Sequence, residues 1–318
     1  MTGINSHEMQ PDQRVLVTGS SGLVGSALVE ELRRNGYQYV HGITSVDVDL
    51  TDWQATRAII DRIRPDVVFH VAARVYGLMG NLQNLGRVFT ENIRMNTNVI
   101  EAAQAVGCRK IVAMGSAAIY SDATPLPMRE DDVWLGAPHD SEGPYAHAKR
   151  AMLAQLEAYA TMSGLDYVYC VSTNLYGPND RFDEQWGHVV PSLISKVHGA
   201  TRSGGPLSVW GSGRPTRDLV YSLDAARALR LMGERGSGVI NLATGESHSI
   251  REVVDRLVKA AGYTGAVVWD ESKPEGQRHR SYDVSRLQAL GFVPQYTLDE
   301  GLRLTFEWFD ANADRARR

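Results

Sequence analysis

The sequence predicts an α/β protein: a doubly wound parallel sheet with a smaller, discontinuous second domain toward the C-terminus. Three observations predict it. Strand-like and helix-like stretches alternate from residue 14 onward. The strand-like runs are almost continuously apolar, as strands covered by helices on both faces must be. Three glycines separate the first strand from the first helix, where such sheets take up dinucleotides.

The elements follow in order. RVLVTG is a strand, and SALVEELRRNG is a helix closed by Gly36. WQATRAIIDRIR is a helix that Pro65 stops, since proline cannot continue it. DVVFHVAA is an apolar strand, NIRMNTNVIEAAQAVG a helix ending at Gly107, and KIVAMGS a further strand. YAHAKRAMLAQLEAYATMSG is a long helix, followed by the strand YVYCVSTN. After residue 176 the pattern loosens into polar and glycine-rich stretches, interrupted by the helix PSLISKVHGA. LVYSLDAARALRLMGE returns to strand then helix, and GVINLAT is a strand. The remainder holds the helix SIREVVDRLVKAAG, the segment AVVWDESKP and a last helix, LDEGLRLTFEWFDANADRARR. A Rossmann-like dinucleotide domain over 1–176 and 218–247 is therefore expected, with a substrate domain over 177–217 and 248–318. Its ligand belongs in the cleft outside the carboxyl ends of the strands.

The net charge is −4 and the pI near 6.1, so no global basic field invites nucleic acid. No apolar run approaches the ~20 residues that span a bilayer. MTGINSHEMQPDQR lacks the apolar core of a signal peptide. The two cysteines, Cys108 and Cys170, read as reduced core thiols. Together these lead to the expectation of a cytoplasmic protein with no membrane and no nucleic-acid partner. No metal site is expected.

VTGSSGLVGSALVEEL places Gly19, Gly22 and Gly25 between a strand and a helix. Glycines permit the tight turn and let backbone approach a pyrophosphate, while the helix N-terminus offers free N–H groups. Ser20, Ser21, Leu23 and Val24 belong to the same loop, and Ala72, in the strand DVVFHVAA, is a further candidate cofactor contact. Asp49, in VDVDLTD, can hydrogen-bond an adenine or cap the following helix, and both roles stay open.

GPYAHAKR places Tyr145 and Lys149 four residues apart, hence on one helix face. A tyrosine is a poor acid–base group at its ordinary pKa of about 10. A neighbouring ammonium and a cationic nicotinamide should pull that value down, and Lys149 can also hold a ribose hydroxyl. Ser116, at the end of IVAMGS, is placed to hydrogen-bond the same carbonyl. Its small neighbours Gly115, Ala117 and Ala118 are expected to make room for substrate.

Glycine loop, serine and YxxxK together resemble the extended short-chain dehydrogenase/reductase family. Within it the chain resembles the GDP-L-fucose synthase branch, the GDP-4-keto-6-deoxymannose epimerase/reductases. The resemblance rests on VTGSSGLVGSA, HVAARVYG, ENIRMNTNVIEAA, STNLYGPNDRF, HVVPSLISKVH, VWGSGRPTRD and WDESKPEGQ, and runs over nearly the whole chain. It implies Ser116, Tyr145 and Lys149 as the reductase triad, and His188 as a proton-transfer residue. It further implies Asn174 in the sugar pocket, and Lys196, Trp210 and Arg217 along the nucleotide and diphosphate. Arg278 or Arg280 is expected to reach the diphosphate, because a guanidinium forks two hydrogen bonds onto phosphate oxygens.

Two departures matter. Bacterial members often carry a cation in the glycine loop for the 2′-phosphate of NADP; here Ser20 and Ser21 fill that turn. NADPH stays the expected cofactor, with weaker discrimination against NADH. Ala118 stands where the branch has a cysteine that, with the histidine, moves protons at C3 and C5. The expected activity is NADPH-dependent 4-ketoreduction of a GDP-linked 4-keto-6-deoxy sugar, hexose or heptose, without 3,5-epimerisation. A bifunctional 3,5-epimerase/4-reductase and a non-catalytic nucleotide-binding protein are the alternatives. A homodimer built on the helices containing residues 87–106 and 145–164 is also implied.

Overall fold

The computed structural model describes residues 8–75, 83–140, 142–184, 187–273 and 279–317. The first half reads β1 (Arg14–Thr18), α1 (Leu23–Arg34), β2 (Tyr39–Ile43), α2 (Trp53–Ile63), β3 (Val67–His70), α3 (Leu85–Ala105), β4 (Lys110–Met114), α4 (Gly143–Ser163) and β5 (Asp166–Ser172). There follow β6 (Asn174–Tyr176), α5 (Val189–Ser203), β7 (Leu207–Trp210), β8 (Thr216–Arg217), β9 (Leu219–Tyr221), α6 (Ser222–Arg235) and β10 (Gly238–Leu242). The chain ends with β11 (His248–Ser249), α7 (Ile250–Ala260), β12 (Val267–Asp270), α8 (Ser285–Ala289) and α9 (Leu298–Asn312).

Six strands form one sheet in the order β10-β5-β4-β3-β1-β2, and every pairing in it is parallel. The order reverses between β1 and β3, the switch point at which doubly wound sheets bind ligands. β3 and β4 are buried at every position, which explains their unbroken apolar runs. The exception is Lys110, which opens β4 at the sheet centre. Its Nζ donates to the Gly236 carbonyl at 2.7 Å and lies 3.2 Å from Asp166 Oδ2. A buried ammonium is tolerated only when paired and hydrogen-bonded in this way.

Helix ends follow their local chemistry. Asp52 caps α2 by accepting from the Ala55 N–H at 2.8 Å. Arg64 closes that helix in the left-handed region, directly before Pro65. Ser249 with Glu252 and Thr297 with Glu300 form capping boxes at α7 and α9. Two apolar cores cover the two faces of the sheet. A third gathers Tyr176, Phe182, α5, α7 and α9 around Leu193, Leu257 and Phe309. Leu287 and Phe292, late in the chain, pack into the core of the large sheet.

Three elements differ from the sequence reading. β2 was not expected: YVHGI is largely exposed at a sheet edge and carries no clean apolar alternation. α3 begins seven residues before the expected NIRMN stretch, since LGRVFTE also suits a helix. The last helix stops at Asn312, and residues beyond it turn back toward the Arg181–Phe182 segment.

Candidate active site

The glycine turn after β1 can close only without side chains. A Cβ on Gly25 would stand 2.2 Å from the Gly19 carbonyl oxygen and 2.9 Å from Ser20 Cα. Gly19 has φ +70 and presses on Ala72, whose Cα would lie 3.0 Å from a Cβ there. α1 starts at Gly22 with no side-chain cap. Its uncapped N–H groups and the positive end of its dipole therefore face whatever lies above the turn.

That space is a cavity of about 360 Å³. Gly19, Ser21, Gly22, Leu23, Val24, Gly25, Asp49, Ala72, Tyr145 and Lys149 all line it, so the turn and the YxxxK pair expected from sequence converge on one site. Ser20 is placed differently: its side chain packs on Gly42 of β2, where an added Cβ would approach Ser20 Cβ to 2.7 Å. Asp49 holds the Thr51 N–H and hydroxyl, and these bonds keep its carboxyl below the usual range. Thr44, Ser45, Arg74, Ser172, Asn179, Asp180 and Arg317 complete much of the lining and were not singled out in the sequence. Cradle, uncapped helix and buried cation fit a nicotinamide dinucleotide.

At the far end stand Ser116, Tyr145 and Lys149. Ser116 follows β4 in extended conformation and accepts from the Ala118 N–H at 3.2 Å. Lys149 is fully buried, and its Nζ donates to the Met114 carbonyl at 2.7 Å. Burial brings its pKa down to about 8. Tyr145 corrects the expectation of a lowered phenol. Burial, and then the Glu142 carboxylate, push it up, while a hydrogen bond with Ser116 pulls the other way. The Lys149 ammonium sits 5.7 Å from the Tyr145 ring centroid and gives one of its three N–H groups to Met114. Tyr145 is therefore held as a neutral phenol, the form that donates a proton.

The small residues after β4 also differ from expectation. Gly115 is required by the Tyr169 ring, which an added Cβ would meet at 2.4 Å. Ala117 and Ala118 are buried in a 3₁₀ turn, 4% and 3% exposed, so they fill core rather than open a pocket.

The substrate-side candidates fall into separate places. Lys196 Nζ lies 4.7 Å from the Trp210 ring centroid, at a second cavity of about 390 Å³ that Glu184 also lines. Arg280 is buried; its Nη1 lies 3.4 Å from the Ala117 carbonyl oxygen and its Nη2 3.4 Å from Glu142 Oε2. Arg217 feels Arg280: burial first, then that neighbouring guanidinium, lowers its pKa. Asn174 is half-buried in β6. His188 is exposed at the start of α5, with its charge felt by Asp180. Arg278 lies outside the described residues.

Fold and site together define a dinucleotide-dependent α/β oxidoreductase with a serine–tyrosine–lysine centre. The chain belongs to the NAD dependent epimerase/dehydratase family, whose model matches residues 15–243. It is 35% identical over 317 residues to a GDP-L-fucose synthase of Escherichia coli, covering 96% of this chain and 99% of that protein. The solved GDP-L-fucose synthetase of Naegleria fowleri bound to NADP superposes with a TM-score of 0.88 at 30% identity, covering 98% of each chain. A GDP-6-OMe-4-keto-L-xylo-heptose reductase from Campylobacter jejuni superposes with a TM-score of 0.86 at 25% identity, covering 96% of this chain and 99% of that one.

Asp180 generates a pH prediction. It is 6% exposed, accepts from the Arg181 N–H at 2.7 Å, and has no partner for Oδ2 among the described residues. Burial raises its pKa to about 6, against the fields of His188 and Arg317. A carboxyl whose folded pKa lies above its unfolded value opposes folding increasingly as pH rises from the unfolded to the folded pKa, fully above the folded one and not at all below the unfolded one. Asp180→Asn is expected to stabilise the protein by about 2–3 kcal/mol above pH 6 and by little below pH 4. Urea unfolding at pH 4 and pH 8 checks this; a destabilisation at pH 8 would overturn it.

Proposed function

We propose that this chain is an NADPH-dependent 4-ketoreductase of a GDP-linked 4-keto-6-deoxy sugar, hexose or heptose, that leaves C3 and C5 unchanged. The observation that carries the reaction class is the neutral Tyr145 phenol, hydrogen-bonded with Ser116 and beside buried Lys149, in the cavity that the glycine turn opens. The GDP-sugar class is supported by the names of relatives that match over nearly the whole chain. NADPH is supported by the NADP-bound structure of a relative that matches over nearly the whole chain. The described residues contain no helix long and apolar enough to cross a membrane.

A bound dihydronicotinamide supplies the hydride. Tyr145 donates its proton to the ketone oxygen as that oxygen becomes an alkoxide, and Ser116 shares the same oxygen by hydrogen bonding. The Lys149 ammonium stabilises the phenolate left on Tyr145, and solvent returns the proton. Lys196, Arg217 and Arg280 provide cations for the nucleotide and diphosphate, with Trp210 as a stacking surface. Ala118 supports retention at C3 and C5: a buried methyl group exchanges no proton. One observation favours the bifunctional reading instead. Asp180, with its raised pKa, feels the charge of His188, and such a pair can move protons.

Turnover in D₂O with NADPH and the 4-keto sugar separates the two readings. Clean reduction at C4 with no deuterium at C3 or C5 is expected by NMR; incorporation at both with inverted product would favour the bifunctional enzyme. Tyr145→Phe is expected to lower ketone reduction by about 10²–10⁴-fold while NADPH binding stays nearly intact. Wild-type turnover in that variant would remove Tyr145 from the mechanism. We also propose a homodimer on α3 and α4, where exposed Leu85 and Phe89 adjoin Pro144 and His147. Sedimentation should give twice the chain mass, and a monomer at micromolar concentration would refute it.

A further inference from the structure

The glycine turn, residues 19–25, carries no charged side chain. Among the described residues, the cations lining the cavity above it are Arg74, Lys149 and Arg317. Lys149 lies deep and donates to Met114. Arg74 lies on the other flank, where its charge reaches Asp49. Arg317 comes from the opposite end of the chain. Beyond α9 the backbone reverses, and the Phe182 N–H donates to the Arg317 carbonyl at 2.8 Å, with Arg181 and Arg317 bridged in parallel. Pinned there, Arg317 reaches the turn: its Nη1 lies 3.8 Å from the place a Cβ on Gly22 would occupy. Gly22 is the N-cap of α1, the residue over which the uncapped N–H groups open.

We infer that Arg317 is a cofactor-binding residue, supplying to the dinucleotide pyrophosphate the cation that the glycine turn itself lacks. The inference rests on the nicotinamide-cofactor reading above and commits to the pyrophosphate. The side chain stands at the helix N-terminus, where a diphosphate is held by backbone N–H groups. A guanidinium adds charge-assisted, forked hydrogen bonds to the same oxygens. Asp180 explains why a cation belongs at this point. A buried carboxyl lines the same cavity, the Arg317 guanidinium is a cation whose field reaches it, and a diphosphate arriving beside it needs that charge balanced.

The test measures binding to the intact protein by calorimetry, with NADPH, NADH, ADP and AMP as probes. Arg317→Ala is expected to weaken NADPH, NADH and ADP alike, by about tenfold each, the lower end for a charge-assisted hydrogen bond at an exposed side chain. AMP, with one phosphate, is expected to lose much less. Arg317→Lys should recover part of the loss, as a point charge without the fork. An unchanged melting temperature confirms that the variant is folded; the 312–317 tail lies outside the sheet core, so none of these changes removes core packing. A loss confined to NADPH would place Arg317 on the 2′-phosphate and overturn the assignment, and equal binding by wild type and Arg317→Ala would overturn it entirely. Failure of the wild-type protein to bind NADPH or NADH would overturn the cofactor reading instead.

Discussion

One buried ammonium organises the centre of this protein. Lys149 has no exposed surface, and its single described hydrogen bond runs to the carbonyl of Met114, the last residue of β4. A charge placed there dictates what its neighbours can be. His70 is neutral, its pKa brought to about 3 by burial and then by the Lys149 field. Neutrality fixes its tautomer. Thr18 Oγ1 already accepts from the Val71 and Ala72 N–H groups, so its proton goes to His70 Nδ1 at 2.9 Å. Nε2 must then carry the proton donated to Asn96 Oδ1 at 3.0 Å. Through Thr18 the network sets the backbone of Ala72, the residue that packs on Gly19. The buried charge beside Tyr145 and the glycine turn after β1 are thus linked across the switch point of the sheet.

The stretch after β4 obeys a second constraint of the same kind. Its carbonyls are held by guanidinium groups from distant parts of the chain. Arg150 donates to the Ile119 carbonyl at 2.6 Å and the Gly136 carbonyl at 2.7 Å, while Arg280 reaches Ala117. Tyr169 fills the space that Gly115 leaves and donates its hydroxyl to the Lys149 carbonyl. Ser116 is therefore fixed between a glycine that cannot be enlarged and a turn that cannot shift. That is the preorganisation a hydrogen-bond donor needs in order to act on a developing oxyanion.

Much of this was legible in the sequence, because it is encoded locally. The glycine turn, the continuous apolar strands and the YxxxK pair are each read within a few residues, and all three converge on one cavity. What escaped depends on packing between remote segments. β2 lies at an edge, where burial writes no alternation into YVHGI. Gly42 is small because Ser20 lies over it, a contact across two elements. The pKa of Tyr145 goes up rather than down, because burial, and then the Glu142 carboxylate, outweigh its hydrogen bond with Ser116. Arg317 belongs to a run of exposed charges that looks like a solvated tail. Only the reversal after Asn312 carries it to the opposite end of the chain.

Asp218 extends the same logic to the segment between β8 and β9. It is nearly fully buried and accepts from the Thr244 N–H, the Thr244 hydroxyl and the Gly245 N–H, all within 2.9 Å. Burial still raises its pKa to about 6, because three hydrogen bonds offset the loss of water only in part. Its bonds tie the segment between β8 and β9 to the loop that follows β10. Arg217, the residue before it, is thereby anchored to the carboxyl edge of the large sheet, although it belongs to a two-stranded ribbon with β11. A hydrophobic contact could join the same segments at lower cost in desolvation. It would not fix the register of the two segments as closely, since apolar packing has no preferred orientation while a carboxylate holding three donors does. Asp180 is the contrasting case: it is as deeply buried but accepts only from the Arg181 N–H, so its burial is less well offset.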